Sequence, residues 1–197
     1  MPHWCNTLYK ATGSKENVDR LANTMVELGN MSRPGLVENG FGSSWLGNLV
    51  AKVGGVLDSS FCRGEWFIDS PEQPVVDGVF SFSVTSAWAE MKEWRQFVES
   101  RFDVKLIFLA EELGSLVFET NDTEHHFFSD EYYLRFGFGG SSDSAYYDSL
   151  KSLIAEVQNV TGFSGLTSYE DCERVLLDFQ KKDTSFDYFL IKLSYVE

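Results

Sequence analysis

The order of the strand and helix patterns limits the possible folds of this chain more than any other property. Alternating or β-favouring residues predict strands, and apolar residues at helical spacing predict helices. Through residue 110 the patterns run strand, helix, strand, strand, helix, strand, over 5–12, 14–28, 64–68, 79–84, 87–101 and 104–110. Ser14 is placed to cap the first helix and Gly29 to stop it.

This order is that of the ferredoxin-like βαββαβ arrangement. It predicts an α+β fold in which two helices cover one face of an antiparallel sheet. The core is expected within residues 1–120, with a Gly-rich insertion at 30–63 that contains a short helix near Leu46. A connection of this length is uncommon unless it is functional or has structure of its own.

The remaining residues, 121–197, are expected to form an acidic α/β extension, packed on the same sheet or in a second layer. Before it, 115–119 should pair with 104–110 as a hairpin. Within 127–138 the pattern predicts a strand around 132–136. A Gly-rich loop, two helices and a last strand are predicted to follow, at 137–142, 147–157, 168–179 and 188–195. Ser168 begins a sequence that resembles a capping box.

Charge narrows the range of partners. The chain of 197 residues has 30 acidic and 16 basic residues, a net charge of −14, while 43% hydrophobic and 15% aromatic residues are typical of a folded protein. Residues 111–197 alone hold 17 acidic and 6 basic residues. Because binding to a phosphate backbone needs clustered Lys and Arg, direct nucleic-acid binding is not expected. No apolar run reaches the ~18 residues of a membrane-spanning helix.

The cysteines indicate a compartment. Cys5, Cys62 and Cys172 are odd in number and far apart, and no secretory signal precedes them. Reduced thiols in the cytoplasm are therefore expected. Cys172 lies at a core position of a predicted helix, where a thiol packs as a small apolar group.

Two segments resemble a known group of proteins. The start Met-Pro-His-Trp-Cys-Asn-Thr-Leu, followed by Thr12-Gly13 and an amphipathic helix, resembles the start of the YubB-like family, a ferredoxin-like group of uncharacterised bacterial phage- and plasmid-associated proteins. Phe82 to Trp88 resembles the element that leads into the family's second helix. The sequence departs at His3, where Asn is usual, in the insertion and in the acidic last third. The resemblance implies the fold and a mobile-element context, but no catalytic residue.

Motifs for catalysis and metal binding are weak. His125 and His126 are adjacent, so on a strand they would face opposite sides and could not share a metal ion; an exposed polar turn is expected. The glycines of 40–47 lack the Lys of a phosphate loop, and no Gly-x-Ser-x-Gly sequence occurs. We therefore predict no metal and no cofactor, and the sequence assigns no catalytic residue.

Candidates for binding are a tryptophan and a set of carboxylates. Trp45 lies in the insertion, where it contacts a partner or anchors the insertion to the core, whereas Trp88 and Trp94 share a helical stripe and are expected in the core. The carboxylates, expected to be exposed and largely unpaired, are Asp122, Glu124, Asp130, Glu131, Asp143 and Asp148.

These features favour a cytoplasmic accessory protein of a mobile element that acts by protein–protein interaction. A narrower hypothesis is a DNA mimic, whose carboxylates occupy the basic groove of a nucleic-acid-binding protein. The charge alone could instead serve solubility. The alternative is a small enzyme or ligand-binding protein with a site between the insertion and the sheet, which a pocket with several titratable groups would favour.

Overall fold

The protein has an α+β fold in two compact units. The computed structural model describes residues 3–57 and 62–197, so part of the predicted insertion, 58–61, lies outside the described residues. The first unit comprises Met1–Phe127 with Tyr195–Glu197, and the second comprises Phe128–Ser194. Each unit has its own sheet and its own core.

The first unit contains the elements that the sequence predicted up to residue 120, with shifted ends. Its strands are β1 (Trp4–Gly13), β2 (Gly64–Phe67), β3 (Val75–Val76), β4 (Val79–Ala87), β5 (Val104–Glu112) and β6 (Val117–Thr120). Its helices are α1 (Lys15–Gly29), α2 (Leu46–Lys52) and α3 (Lys92–Phe102).

All four strands predicted for the core lie in one sheet, as expected. The strand order is β10-β6-β5-β1-β4-β2, where β10 is Ser194–Tyr195 from the C-terminal end of the chain, and β3 pairs with β4 as a seventh strand. β1 pairs antiparallel with both β4 and β5, and β2 pairs antiparallel with β4. The sheet is therefore wider than the four strands and one hairpin partner that were predicted.

One face of this sheet carries the core. Along β1 the burial alternates, with Cys5 and Tyr9 fully buried and Leu8 half exposed between them. Leu21 of α1 and Trp94 of α3 belong to the same apolar cluster as that buried face. Both helices thus cover one face, and the opposite face stays open along β1, β4 and β2.

Capping residues and turns set the ends of the helices more closely than the spacing of the apolar residues does. Ser14 caps α1 as predicted, because its hydroxyl accepts the N–H of Asn17. Gly29 is the last residue of α1, where the stop was predicted, although the C-cap is the next residue, Asn30, with φ −82°. α3 begins at Lys92, five residues after the predicted start, because the chain turns sharply at Trp88.

The insertion owes its order to two asparagines rather than to regular structure. Asn48, on α2, is fully buried, and its amide bonds to five backbone groups of the preceding loop. The Asn48 side-chain oxygen accepts the N–H groups of Leu36 and Val37. The side-chain nitrogen donates to the carbonyls of Pro34, Gly42 and Ser43. Asn39 closes a smaller turn by accepting the N–H groups of Phe41 and Gly42. Side-chain amides thus take the place of a strand ladder here.

The second unit is a three-stranded antiparallel sheet with two helices on one face. Its elements are β7 (Tyr132–Phe138), β8 (Ser141–Tyr147), α4 (Leu150–Thr161), α5 (Tyr169–Lys182) and β9 (Phe186–Lys192), in strand order β8-β7-β9. Leu134, Leu153 and Leu176 are fully buried in its core. Ser168 caps α5 as predicted, by accepting the N–H of Asp171.

The Gly-rich loop predicted at 137–142 is wrong. Gly139 and Gly140 form the two-residue turn of a hairpin, with φ of 57° and 92°, between β7 and β8. Such a turn needs positive φ at both residues, which glycine adopts without strain. The polar residues that follow, from Ser141 on, form an exposed edge strand, and α4 starts at Leu150 rather than at Tyr147.

The prediction of free thiols is confirmed. Each of the three is a buried thiol rather than half of a disulfide, and Cys172 lies in the core of the second unit. Burial raises the pKa of Cys5 and of Cys172 to about 11. Across the described residues, no helix combines the length and the apolar character that a membrane crossing requires.

Candidate functional site

Asp122 is not part of an exposed acidic surface, contrary to the expectation. Its side chain is 3% exposed, and its carboxylate accepts the N–H groups of His126 at 3.0 Å and Phe127 at 2.7 Å. The residue therefore closes the turn that follows β6. A carboxylate that captures backbone N–H groups a few residues on is a structural motif of turns, which charge counting does not separate from a surface charge.

The other predicted carboxylates differ in exposure. Glu124, like Asp122, belongs to the first unit; it is exposed and lies 3.5 Å from His126. Asp130 and Glu131 are half-buried in the second unit, where Asp143 and Asp148 are exposed.

The two histidines lie in the exposed polar turn that was expected. His125 adopts φ +53°, and its Nε2 lies 2.9 Å from the hydroxyl of Tyr195. His126 is 64% exposed. Within residues 3–57 and 62–197, no three His, Cys, Asp or Glu side chains come together in a way that could hold a metal ion.

Trp45 anchors the insertion. Its ring packs against the core of the first unit, and its Nε1 donates to the carbonyl of Cys62 at 2.5 Å. A Cβ added to Gly47 would lie 2.3 Å from the Trp45 ring, so the ring covers that glycine. The anchoring role weighed for this residue is the one that its contacts support.

A pocket lies between the insertion and the sheet, where the alternative hypothesis put an active site. It has a volume of about 220 Å³, and Ser44, Trp66 and Phe67 are among its lining residues. The lining given by the described residues includes no Asp, Glu, His, Lys, Arg, Cys or Tyr. Acid–base catalysis needs a titratable group within hydrogen-bonding reach of the substrate, which this lining does not supply.

Instead, the open face of the first sheet carries exposed apolar side chains. Leu8 and Phe67 both pair in register with Ser83, and they are 50% and 47% exposed. Trp4, on the same face of β1 as Leu8, is 44% exposed and pairs with Ala87. Several large apolar groups that share one face are more than the scattered apolar residues of an ordinary surface.

Two side-chain pairs lie at the Trp4 end of this sheet, Trp4 with Phe41 and Arg63 with Trp88; we call these four residues the aromatic rim. The rings of Trp4 and Phe41 meet edge to face with centres 6.2 Å apart. The Arg63 guanidinium lies over the Trp88 ring, 4.5 Å from its centre. Two half-exposed tryptophans are thereby held in fixed orientations, each by a neighbour from another segment.

The backbone at Trp88 is strained. Its φ is +69°, and the N–H of Ala89 bonds to the carbonyl of Ala87, which makes Trp88 the centre of a γ-turn of the rare left-handed kind. The N–H of Trp88 donates to the carbonyl of His3 at 2.8 Å. Such a conformation costs about 1–3 kcal/mol in a residue with a bulky side chain. The expectation that Trp88 belongs to the core is wrong, since it is 49% exposed, whereas Trp94 is fully buried as predicted.

Two residues beyond Trp88 the chain enters a buried ionic cluster. The Glu90 carboxylate accepts the hydroxyl of Tyr9 at 2.5 Å and Nε of Arg95 at 3.1 Å. Arg95 is 4% exposed, lies 3.6 Å from a Glu99 carboxylate oxygen, and donates to the carbonyl of Glu197 at 3.1 Å. Desolvation raises the pKa of Glu90, although Tyr9 and Arg95 counteract it. The Glu90 and Arg95 side chains are only 6% and 5% exposed, so their ion pair holds the β4–α3 connection in place.

Sequence reasoning missed most of this site. Trp88 fits the helical stripe of α3, so its spacing predicts burial, and a left-handed φ leaves no sequence signal in a residue other than glycine or asparagine. The one available signal was Arg95, a charge next to Trp94 on an otherwise apolar stripe, which indicates a buried partner. The comparisons with known proteins add nothing to these observations: no family model, no curated protein and no solved structure matches the chain.

Proposed function

We propose that this protein is a non-enzymatic binding module that contacts a partner protein through its aromatic rim. The observation that carries the proposal is the exposed Trp88, which is kept in a strained conformation and stacked by Arg63. Residues held in sparsely populated backbone conformations cluster at functional sites. Tryptophan and arginine are also the residues that most often dominate the energy of protein interfaces.

The core is, in this proposal, ferredoxin-like. The order β5-β1-β4-β2 with antiparallel neighbours, and two helices on one face, supports it. The mobile-element context and the cytoplasmic location rest on the YubB-like resemblance of the first strand and helix and on the buried thiols.

The acidic residues make a secondary contribution to partner binding in this proposal. Glu124, Asp143 and Asp148 are exposed, and the net charge of −14 favours a basic partner such as a nucleic-acid-binding protein. This is the part of the DNA-mimic hypothesis that remains once Asp122 is excluded. Charges of this kind change association rates and salt dependence more than they fix the contact.

Site-specific photocrosslinking in the native host tests the proposal. A photoreactive phenylalanine analogue at Phe41 should give a discrete adduct with one protein, and Trp88→Gly in the same chain should abolish it. The matched position is Leu177, which is 43% exposed on α5 of the second unit and should give no such adduct. Adducts that survive Trp88→Gly, or that form equally from Leu177, would exclude the rim as the contact.

Binding of a nucleic acid to the aromatic rim is tested with the purified protein. Bases can stack on exposed aromatic side chains of a sheet, so single-stranded oligonucleotides would quench tryptophan fluorescence if they bound the rim. We expect no quenching, because the face also carries Glu65 and Glu111 and the chain is strongly acidic. Saturable quenching that Trp88→Gly removes would replace the protein partner by a nucleic acid.

A further inference from the structure

A depression on the helix-covered side of the first unit gathers positive charge in an acidic protein. Its volume is about 550 Å³, within the range of sites for small molecules. Three cations from three helices line it, Arg20 of α1, Lys52 of α2 and Arg101 of α3. Thr24, Val53 and Phe102 complete the lining. The chain as a whole has a net charge of −14, so a cluster of three positive charges is unlike the rest of the molecule.

Both guanidinium groups are held in place before any ligand arrives. Nη2 of Arg20 donates to the carbonyls of Phe102 at 2.8 Å and Arg101 at 3.4 Å, and its Cζ lies 5.4 Å from the centre of the Phe102 ring. Nη2 of Arg101 donates to the carbonyl of Val53. A guanidinium has five N–H donors. In both arginines the hydrogen bonds to described residues come from Nη2, which leaves Nε and Nη1 for a ligand.

The local balance of charge is positive. Lys52 pairs with Glu27 at 2.6 Å, and Glu27 does not line the depression. Asp103, beside Phe102, accepts the amide of Asn17 at 3.0 Å and does not line it either. Three cations thus line the depression, and they outnumber these two neighbouring carboxylates.

Helix ends explain part of this arrangement. The carbonyls at the ends of α2 and α3 attract cations, which accounts for the positions of the two arginines. Lys52 lies in the last turn of α2, where a cation is also favoured, but helix ends alone do not explain why all three cations line one depression. Among the described residues of the lining, Thr24 alone has a hydroxyl, and it donates to the carbonyl of Arg20 at 2.7 Å, so it is not poised as a nucleophile.

We propose that the depression binds the phosphate group of a small phosphorylated molecule. Guanidinium and ammonium groups that converge on one volume are the usual receptor for phosphate oxygens. The lining described here offers no general base, so the site binds its ligand without transforming it. The proposal concerns a different surface from the aromatic rim and does not depend on it.

Calorimetric titration with inorganic pyrophosphate at low salt tests the proposal through two changes of opposite sign. Lys52→Gln should weaken binding roughly three- to tenfold, because one ligand charge loses its partner. Glu27→Gln should strengthen binding by a similar factor, because it releases Lys52. Lys105→Gln, an exposed lysine of β5 outside the depression, is the matched control and should leave the affinity unchanged.

Contrary outcomes are distinct. Absence of pyrophosphate binding at millimolar concentration, or an equal affinity in all four proteins, would mean that the cations serve as helix caps only, and would overturn the proposal. Vesicles of phosphatidylcholine with and without phosphatidic acid separate the possible sources of the phosphate. Binding to the acidic vesicles without binding to pyrophosphate would overturn the assignment to a small molecule.

Discussion

The connection after α1 and the connection before α3 both lack regular structure, yet each is fixed at several points. Residues 30–45 are held by neutral amides, chiefly the fully buried Asn48 with its five backbone bonds. The short connection from Trp88 to Met91 is held by charge and strain, through the γ-turn at Trp88 and the Glu90–Arg95 ion pair. The long connection is thus ordered by neutral amides, whereas the order of the short connection depends on the protonation state of Glu90.

The difference has a physical reason. An amide both donates and accepts, so Asn48 satisfies N–H and carbonyl groups of the loop at once and carries no charge into the core. Glu90 and Arg95 satisfy each other, but both must leave water, and desolvation opposes their charged forms. We therefore expect the two connections to respond differently to mutation and to pH.

The largest effect is expected from Arg95→Met. The substitution leaves the carboxylates of Glu90 and Glu99 without their cation in a buried site, which should cost about 3–5 kcal/mol in the free energy of unfolding. Urea denaturation followed by tryptophan fluorescence measures it. Lys15→Met, which breaks an exposed ion pair with Asp19 in α1, should change stability by less than about 1 kcal/mol. Equal effects of the two substitutions would show that the buried pair contributes no more than an exposed one.

Asn48→Ala should cost somewhat less, about 2–3 kcal/mol, because the bonds that it loses are to a loop which water can partly reach. The same substitution should speed proteolysis within residues 30–45. Asn23→Ala, on the exposed face of α1, is the control and should leave both measurements unchanged. If the loop resists protease in the Asn48 variant as well as in the wild type, the amide network is not what orders it.

A pH series distinguishes the two connections directly. The pKa of Glu90 is raised above its ordinary value of 4.5, so the stability that its protonated form contributes is complete below that value and is lost as pH rises through the raised pKa. Glu90→Gln resembles the protonated acid. Its stability relative to the wild type should therefore be constant below pH ~4 and should increase as pH rises, by no more than about 1.4 kcal/mol per pH unit.

The control for this series is Asn48→Ala, whose deficit relative to the wild type should not vary with pH. The second unit provides an opposite case, since hydrogen bonds from Thr167, together with Arg174, lower the pKa of Asp171 to about 2. Stability from that residue is present at neutral pH and is lost on acidification. Parallel profiles for the wild type and Glu90→Gln would contradict the raised pKa.

The sequence predicted the elements better than the groups that fix their connections. Apolar spacing found α1, and Ser14 predicted its start, because both signals are local. Asn48 and Arg95 each stand on an apolar helical stripe, but only the fold shows which backbone or carboxylate groups meet them. A polar residue on such a stripe is a usable signal of burial, although its partners are up to 102 residues away in sequence, as for Arg95 and Glu197.

The candidate site was less predictable still. Trp45 and the six carboxylates were chosen by residue type, and the structure gives two of them structural roles, with Trp45 as an anchor and Asp122 as a turn-closing group. The aromatic rim depends on pairing between β1 and β4 and on one backbone angle. The cationic depression brings together Arg20 from within α1 and two residues from the last turns of α2 and α3, Lys52 and Arg101. Neither has a pattern that is local in sequence.

The smallest effect is expected at Trp88, and it isolates strain from packing. Trp88→Gly removes an exposed ring and its contact with Arg63, at a cost of about 0.5–1 kcal/mol, but it also relieves the left-handed φ, so the net change should lie within about 1 kcal/mol of zero. Trp88→Ala loses the same ring and keeps the unfavourable φ. The glycine variant should therefore be the more stable of the two by about 1 kcal/mol, although glycine ordinarily costs more conformational entropy than alanine.

That reversal is what a strained turn implies and a relaxed one does not. Chemical denaturation of the two variants under the same conditions gives the difference without reference to the absolute stability of the chain. If alanine proves equal to or better than glycine, the γ-turn at Trp88 stores no strain, and the β4–α3 connection is fixed by the Glu90–Arg95 pair alone. If glycine is better, the wild-type chain keeps tryptophan at a position where a smaller residue folds equally well, and the reason for keeping it lies in what the exposed ring contacts.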